Sequence, residues 1–108
     1  MNLTVININY LNAPIDILEK CSCNKDDITD YLSSTVGSLF FQEMVIISTC
    51  NRTEWVFVSP EPKKAINVLM SKIKEKTNIS ESILRKHMLF YQDFEAMSHL
   101  FQVVCGLK

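Results

Sequence analysis

The heptad Ser48-Thr49-Cys50-Asn51-Arg52-Thr53-Glu54 brings a thiol, a guanidinium, an amide, hydroxyls and a carboxylate together in one short stretch. It follows directly on the apolar run Met44-Val45-Ile46-Ile47, so its side chains emerge where a strand ends. In extended backbone, Cys50 and Arg52 would project to the same side, roughly 7 Å apart along the chain. A guanidinium at that distance favours the thiolate, which is the nucleophilic form of cysteine. Arg52 could equally hold a substrate carboxylate through its two-pronged fork. Ser48, Thr49 and Asn51 add short polar groups able to orient a carbonyl or an amine. Two plainer alternatives stay open on spacing alone. A cysteine after an apolar strand is commonly a small buried hydrophobe, and Arg52 with Glu54 could form a solvated loop pair.

His99 is the second group with chemical capacity. At about 100° per residue it falls opposite the Phe94/Met97/Leu100/Phe101/Val104 stripe of its helix, on the side expected to be exposed. Glu95, one turn earlier, could accept its proton and orient the ring; an ordinary surface histidine fits the same spacing. His87 opens an apolar stretch and reads as structural. Cys21, Cys23 and Cys105 have no basic neighbour in sequence and read as inert. With no secretory segment, the four cysteines read as cytosolic thiols rather than disulfides. Neither histidine stands near a cysteine at zinc spacing, so no metal site is expected. Lys63, Lys64, Lys72, Lys74 and Lys76 read as a solvated helix face, with contact to RNA phosphates as the alternative.

The elements that must position these groups follow from the hydrophobic pattern. The chain has 108 residues, enough for a single domain, with 47% apolar and 21% charged residues. A formal net charge of −1 excludes nucleic-acid binding through bulk charge. Two glycines exclude a phosphate-cradling loop of the dinucleotide or Walker type. No apolar run is long enough for a membrane span, and a cytoplasmic location without membrane contact is expected. Leu3 to Tyr10 alternates as a strand, and Pro14 suits the first turn of a short helix through Lys20. Ile28, Tyr31 and Leu32 mark a helix to about Thr35, with Gly37 as its stop signal. Met44–Ser48 and Trp55–Val58 read as buried strands. Pro62 opens an amphipathic helix with Ala65, Ile66, Leu69, Met70 and Ile73 on one stripe. Ser80 to Leu84 gives one further turn, His87 to Tyr91 a fourth strand, and Asp93 an N-cap for the last helix.

The order predicts an α+β domain: a ferredoxin-like βαββαβ sheet with helices on one face, plus a C-terminal helix. Residues 1–108 form one domain on this reading. The absence of a polar tail after Val104-Cys105-Gly106-Leu107-Lys108 suggests a cut inside a longer protein.

The heptad after its Val-Ile-Ile strand resembles the signature of the glutamyl-tRNA reductases. The likeness extends to Ile8-Asn9 with Ala13-Pro14, to Glu19-Lys20, to Ser98-His99-Leu100-Phe101-Gln102-Val103 and to Gly106-Leu107. The resemblance implies the N-terminal catalytic domain of a tRNA-dependent oxidoreductase of tetrapyrrole (porphyrin and heme) biosynthesis. The family's enzyme reduces the glutamyl group of glutamyl-tRNA to glutamate-1-semialdehyde with NADPH. It implies Cys50 as the nucleophile that forms a glutamyl thioester, and His99 near the reactive carbonyl. Thr49, Asn51, Arg52 and Ser98 fall where the family recognises the glutamyl group. NADPH would be bound by a following domain absent from this chain. Homodimerisation and handover to glutamate-1-semialdehyde aminotransferase are implied for the intact protein. The isolated domain is expected not to complete the reduction. Six positions depart from the family pattern. Asn9-Tyr10-Leu11-Asn12-Ala13-Pro14 stands for Asn-His-Lys-Thr-Ala-Pro, Leu18 for an arginine, and Cys105 and Lys108 for a serine and an aspartate. A non-catalytic ferredoxin-like RNA-binding or regulatory module is the alternative reading.

Overall fold

The computed structural model describes residues 2–35 and 38–107, and Gly37 and Lys108 lie outside them. The described residues run β1 (Leu3–Asn9), α1 (Ile15–Cys21), α2 (Lys25–Thr35), β2 (Glu43–Ser48), β3 (Arg52–Val58), α3 (Pro62–Thr77), α4 (Glu81–His87), β4 (Leu89–Gln92) and α5 (Phe94–Val104). The four strands form one sheet in the order β2-β3-β1-β4, every neighbour antiparallel. This is the split arrangement expected of a ferredoxin-like domain, with α5 added.

Local chemistry sets the helix ends. Asn24 and Asp27 exchange backbone-to-side-chain hydrogen bonds (2.9 and 3.0 Å) in a reciprocal cap at the start of α2. Pro62 occupies the first turn of α3, where its missing N–H costs nothing. Asn78 closes α3 in the left-handed region at φ 60°, donating its N–H to the Lys74 carbonyl. The Ser80 hydroxyl accepts the Ile83 N–H, so the expected single turn becomes a helix through His87. His87 therefore ends α4 and does not open β4; its Nδ1 donates to the Asn12 carbonyl at 2.8 Å. Asp93 gives α5 no side-chain cap. Its carboxylate accepts the Leu3 N–H instead (3.1 Å), tying the helix start to β1.

Strand alternation divides the sheet into two unlike faces. Ile6 and Ile8 of β1, Ile46 of β2, and Trp55 and Phe57 of β3 point toward α1–α4 and form the core with Leu18, Cys21, Tyr31, Leu69, Met70, Ile73 and Leu84. The intervening residues face the other way, beneath α5. By register this second face pairs Asn7 with Glu54 and Asn9 with Arg52, and sets Leu89 and Tyr91 of β4 beside Asn7 and Val5.

The orientation of α5 reverses the expected one. Ala96 and His99 are buried against the sheet, while Phe94, Met97, Phe101 and Val104 point outward. The apolar face of the sheet is already covered by α1–α4. The face left for α5 carries amides and a carboxylate, which match His99 rather than the aromatic stripe.

Candidate active site

The β2–β3 connection is a tight turn. Ser48 and Thr53 are the last paired residues, with their hydroxyls 2.9 Å apart. The Thr49 N–H donates to the Arg52 carbonyl (2.8 Å), and the Asn51 N–H to Thr49 Oγ1 (3.2 Å). The Asn51 carbonyl accepts the Tyr10 N–H at 3.0 Å, which ties the loop after β1 to this turn. Thr49, Cys50 and Asn51 are exposed, and Arg52 begins β3 half-buried. The extended geometry expected for Cys50 and Arg52 is thus replaced by a bend, because the chain must reverse within these residues to pair β2 with β3. Cys50 is no buried hydrophobe. Glu54 is no loop residue either: it is fully buried within β3.

Beneath α5 the polar groups form a continuous chain. The Leu11 N–H donates to Asn9 Oδ1 (2.9 Å), Asn9 Nδ2 to Asn7 Oδ1 (2.6 Å), and Asn7 Nδ2 to Glu54 Oε1 (2.6 Å). Glu54 Oε1 also meets His99 Nε2, so the carboxylate partner of His99 comes from β3 and not from the expected Glu95, which is exposed. His99 is only 3% exposed, correcting the expected surface position. The Tyr91 ring stacks on the imidazole, with centroids 4.3 Å apart and planes within 14°.

A cleft of about 410 Å³ opens over these groups, walled by Asn9, Tyr10, Arg52, Tyr91 and His99 among others. The structure brings Arg52 and His99 to one cavity. Cys50, Thr49 and Asn51 stand on the adjoining turn and are not part of its wall. Ser98 is half-buried and lines a smaller cavity of about 210 Å³ that it shares with His99. Of the positions that depart from the family pattern, Tyr10 lines the larger cleft, Leu18 is in the core and Cys105 is exposed at the end of α5.

The thiols differ sharply in setting. Burial pushes Cys21 up to about 12 and Cys23 up to about 11, which keeps both protonated at neutral pH. Lys76, from the basic helix α3, is engaged with Asp30 at 2.8 Å and Asp27 at 3.6 Å and lies over the Tyr31 ring. Lys64 pairs with Glu61 at 3.0 Å. Among the described residues, no cluster of three His, Cys, Asp or Glu side chains is placed to hold a metal ion. No helix among them is long and apolar enough to cross a membrane.

Sequence reasoning missed Asn7, Asn9 and Tyr91, and set Glu54 in a loop beside Arg52 rather than beneath α5. A signal was present: Asn7 and Asn9 alternate with Ile6 and Ile8, and Glu54 alternates with Trp55, which marks one polar face on two strands.

Residues 6–108 match the family described as "Glutamyl-tRNAGlu reductase, N-terminal domain". Among solved structures, the chain resembles glutamyl-tRNA reductase from Methanopyrus kandleri, with a TM-score of 0.63 and 21% identity. The likeness covers 97% of this chain and 22% of that one, so this chain spans about a fifth of that protein's length. At this identity the structural likeness carries the fold, and the match over residues 6–108 carries the family. The chain belongs to the glutamyl-tRNA reductase N-terminal domain family.

Proposed function

We propose that this domain carries out the acyl-transfer half of glutamyl-tRNA reduction, with Cys50 as the nucleophile. The observation that carries the reading is the exposure of Cys50 on a turn whose Arg52 lines a cleft together with His99. The Cys50 thiolate attacks the carbonyl carbon of the glutamyl ester, forming a C–S bond. The C–O bond to the tRNA ribose breaks, and the ribose oxygen leaves with the electron pair and takes up a proton. Arg52 holds the side-chain carboxylate of the glutamyl group through its bidentate fork. Thr49, Asn51 and Ser98 supply the hydroxyl and amide contacts around it. His99 serves the reacting carbonyl by proton transfer or by positioning.

NADPH does not fit the residues present. A dinucleotide cradle needs a Gly-rich turn between a strand and a helix. Gly106, at φ 75°, instead follows the end of α5, and no Gly-rich loop exists in the sequence. No hydride step is therefore derived from these residues. Reduction to glutamate-1-semialdehyde for porphyrin biosynthesis, an NADPH-binding domain, homodimerisation, handover to glutamate-1-semialdehyde aminotransferase and a cytoplasmic location are carried over from the family as part of this proposal. The RNA-binding module draws less support, since Lys64 and Lys76 of α3 are already paired with carboxylates.

Incubation of the intact protein with glutamyl-tRNA labelled in its glutamyl group, without reductant, tests the reading. Acid-stable label should accumulate on the wild-type protein, be released by hydroxylamine, and vanish in Cys50→Ser. Label that survives the substitution would remove Cys50 from the mechanism.

A further inference from the structure

We propose that Glu54 is a positioning residue that fixes the tautomer and plane of His99, with Asn7 and Asn9 holding it in turn. The proposal rests on the acyl-transfer reading for its catalytic consequence, and on geometry alone for the contact. Glu54 is fully buried, and a carboxylate taken out of water is costly unless something inside compensates it. Its compensation is partial. Oε1 receives Asn7 Nδ2 and meets His99 Nε2, while Oε2 is buried without a hydrogen-bond partner among the described residues. Buried polar groups of this kind are often replaceable as a set by apolar side chains without loss of stability, so stability alone does not account for a carboxylate at this place.

The surrounding bonds define what the carboxylate does. Asn9 Nδ2 donates to Asn7 Oδ1, which turns the Asn7 amide so that its NH₂ group faces Glu54. Asn9 is set in turn by the Leu11 N–H, on the loop that lines the cleft. Every link thus has one donor and one acceptor, and the direction of the chain is fixed from the cleft rim inward. A carboxylate at Nε2 keeps the proton of the neutral imidazole on that nitrogen. Tyr91, stacked at 4.3 Å, restrains the ring plane. His99 accordingly meets the cleft as a ring of one tautomer and one orientation.

Glu54→Gln keeps the shape and removes the charge that selects the tautomer. The intact protein, labelled with ¹⁵N-histidine, is read by the ring-nitrogen shifts of His99, identified by their loss in His99→Gln. Thioester formation at Cys50 is followed in single turnovers over a range of glutamyl-tRNA concentrations. The wild type should show the Nε2–H tautomer, and Glu54→Gln a mixed population. The maximal single-turnover rate should fall about 10- to 100-fold, while the half-saturating glutamyl-tRNA concentration stays unchanged. Unchanged His99 shifts, or an unchanged rate with altered shifts, overturns the positioning role. If Glu54→Gln does not fold, Asn7→Ser is read in the same two ways. It leaves the carboxylate but removes the Asn7 bond to Oε1, and unaltered shifts and rate there overturn the proposal equally. Absence of thioester in the wild type would defeat the acyl-transfer reading instead, and the tautomer measurement on the same sample separates the two failures.

Discussion

The two faces of the sheet come from the same strands and do opposite things. Toward α1–α4, β1 and β3 present Ile6, Ile8, Trp55 and Phe57, which pack with edge-on ring contacts between Tyr31 and Trp55 (5.9 Å) and between Phe41 and Phe57 (5.2 Å). Toward α5, the alternate residues include Asn7, Asn9, Arg52 and Glu54, beside Val5 and Val56. Burying a large apolar side chain stabilises by roughly 1.5–3 kcal/mol, whereas a buried carboxylate costs several kcal/mol before its partners compensate it. Stability is therefore concentrated on one side of the sheet and chemical capacity on the other. A two-residue strand period lets one chain serve both without compromise at any single position.

The largest expected effect lies on the apolar face. Trp55 is fully buried, and its indole N–H has no hydrogen-bond partner among the described residues, so its contribution is packing alone. Trp55→Ala should cost about 3–5 kcal/mol, read as a lower urea midpoint with an unchanged slope. A loss below about 1 kcal/mol would mean that this face is not the main support of the fold.

This asymmetry explains which parts of the molecule were legible in the sequence. The strands were, because β-branched residues alternate or cluster where the sheet is half or fully buried, as in Leu3–Asn9 and Glu43–Ser48. The ferredoxin-like order followed from them. The facing of α5 was not. Helical periodicity groups Phe94, Met97, Phe101 and Val104 on one side, but it cannot say which side meets the sheet. That was decided by Asn7 and Glu54 on distant strands. The candidate site was legible in its local part, since Cys50 and Arg52, the groups proposed to act, lie within one heptad. The Glu54–His99 contact joins residues 45 apart in sequence, and a local spacing argument chose Glu95 in its place.

An intermediate effect concerns the buried thiol on the apolar side. Burial, and secondarily the neighbouring Cys23, raises Cys21 from its ordinary value of 9.0 to about 12. Above pH 9 the unfolded chain loses this proton and the folded chain keeps it. The unfolded state then binds fewer protons, and stability falls as pH rises. The loss should approach about 1.4 kcal/mol per pH unit from this group between pH 9 and 12, and be absent below pH 9. Cys23 and Tyr31 are raised in the same sense, so the measurement is the difference between wild type and Cys21→Ala. Urea midpoints at pH 8, 9.5 and 10.5 should converge for the two proteins as pH rises. Parallel curves would mean that Cys21 is not held protonated by its burial.

The smallest effect is the most diagnostic of how α5 sits. Phe101 is 69% exposed, on the outward stripe of the helix, while Ala96 and His99 occupy the inward side. Phe101→Ser should therefore change stability by no more than about 0.5 kcal/mol. Had the helix packed by its apolar stripe, truncating the same side chain would remove a core aromatic and cost about 3–5 kcal/mol. The two orientations differ by several kcal/mol at this residue, so chemical denaturation alone separates them. A large loss would turn the helix over, withdraw His99 from Glu54, and with it remove the polar face as the seat of the proposed chemistry.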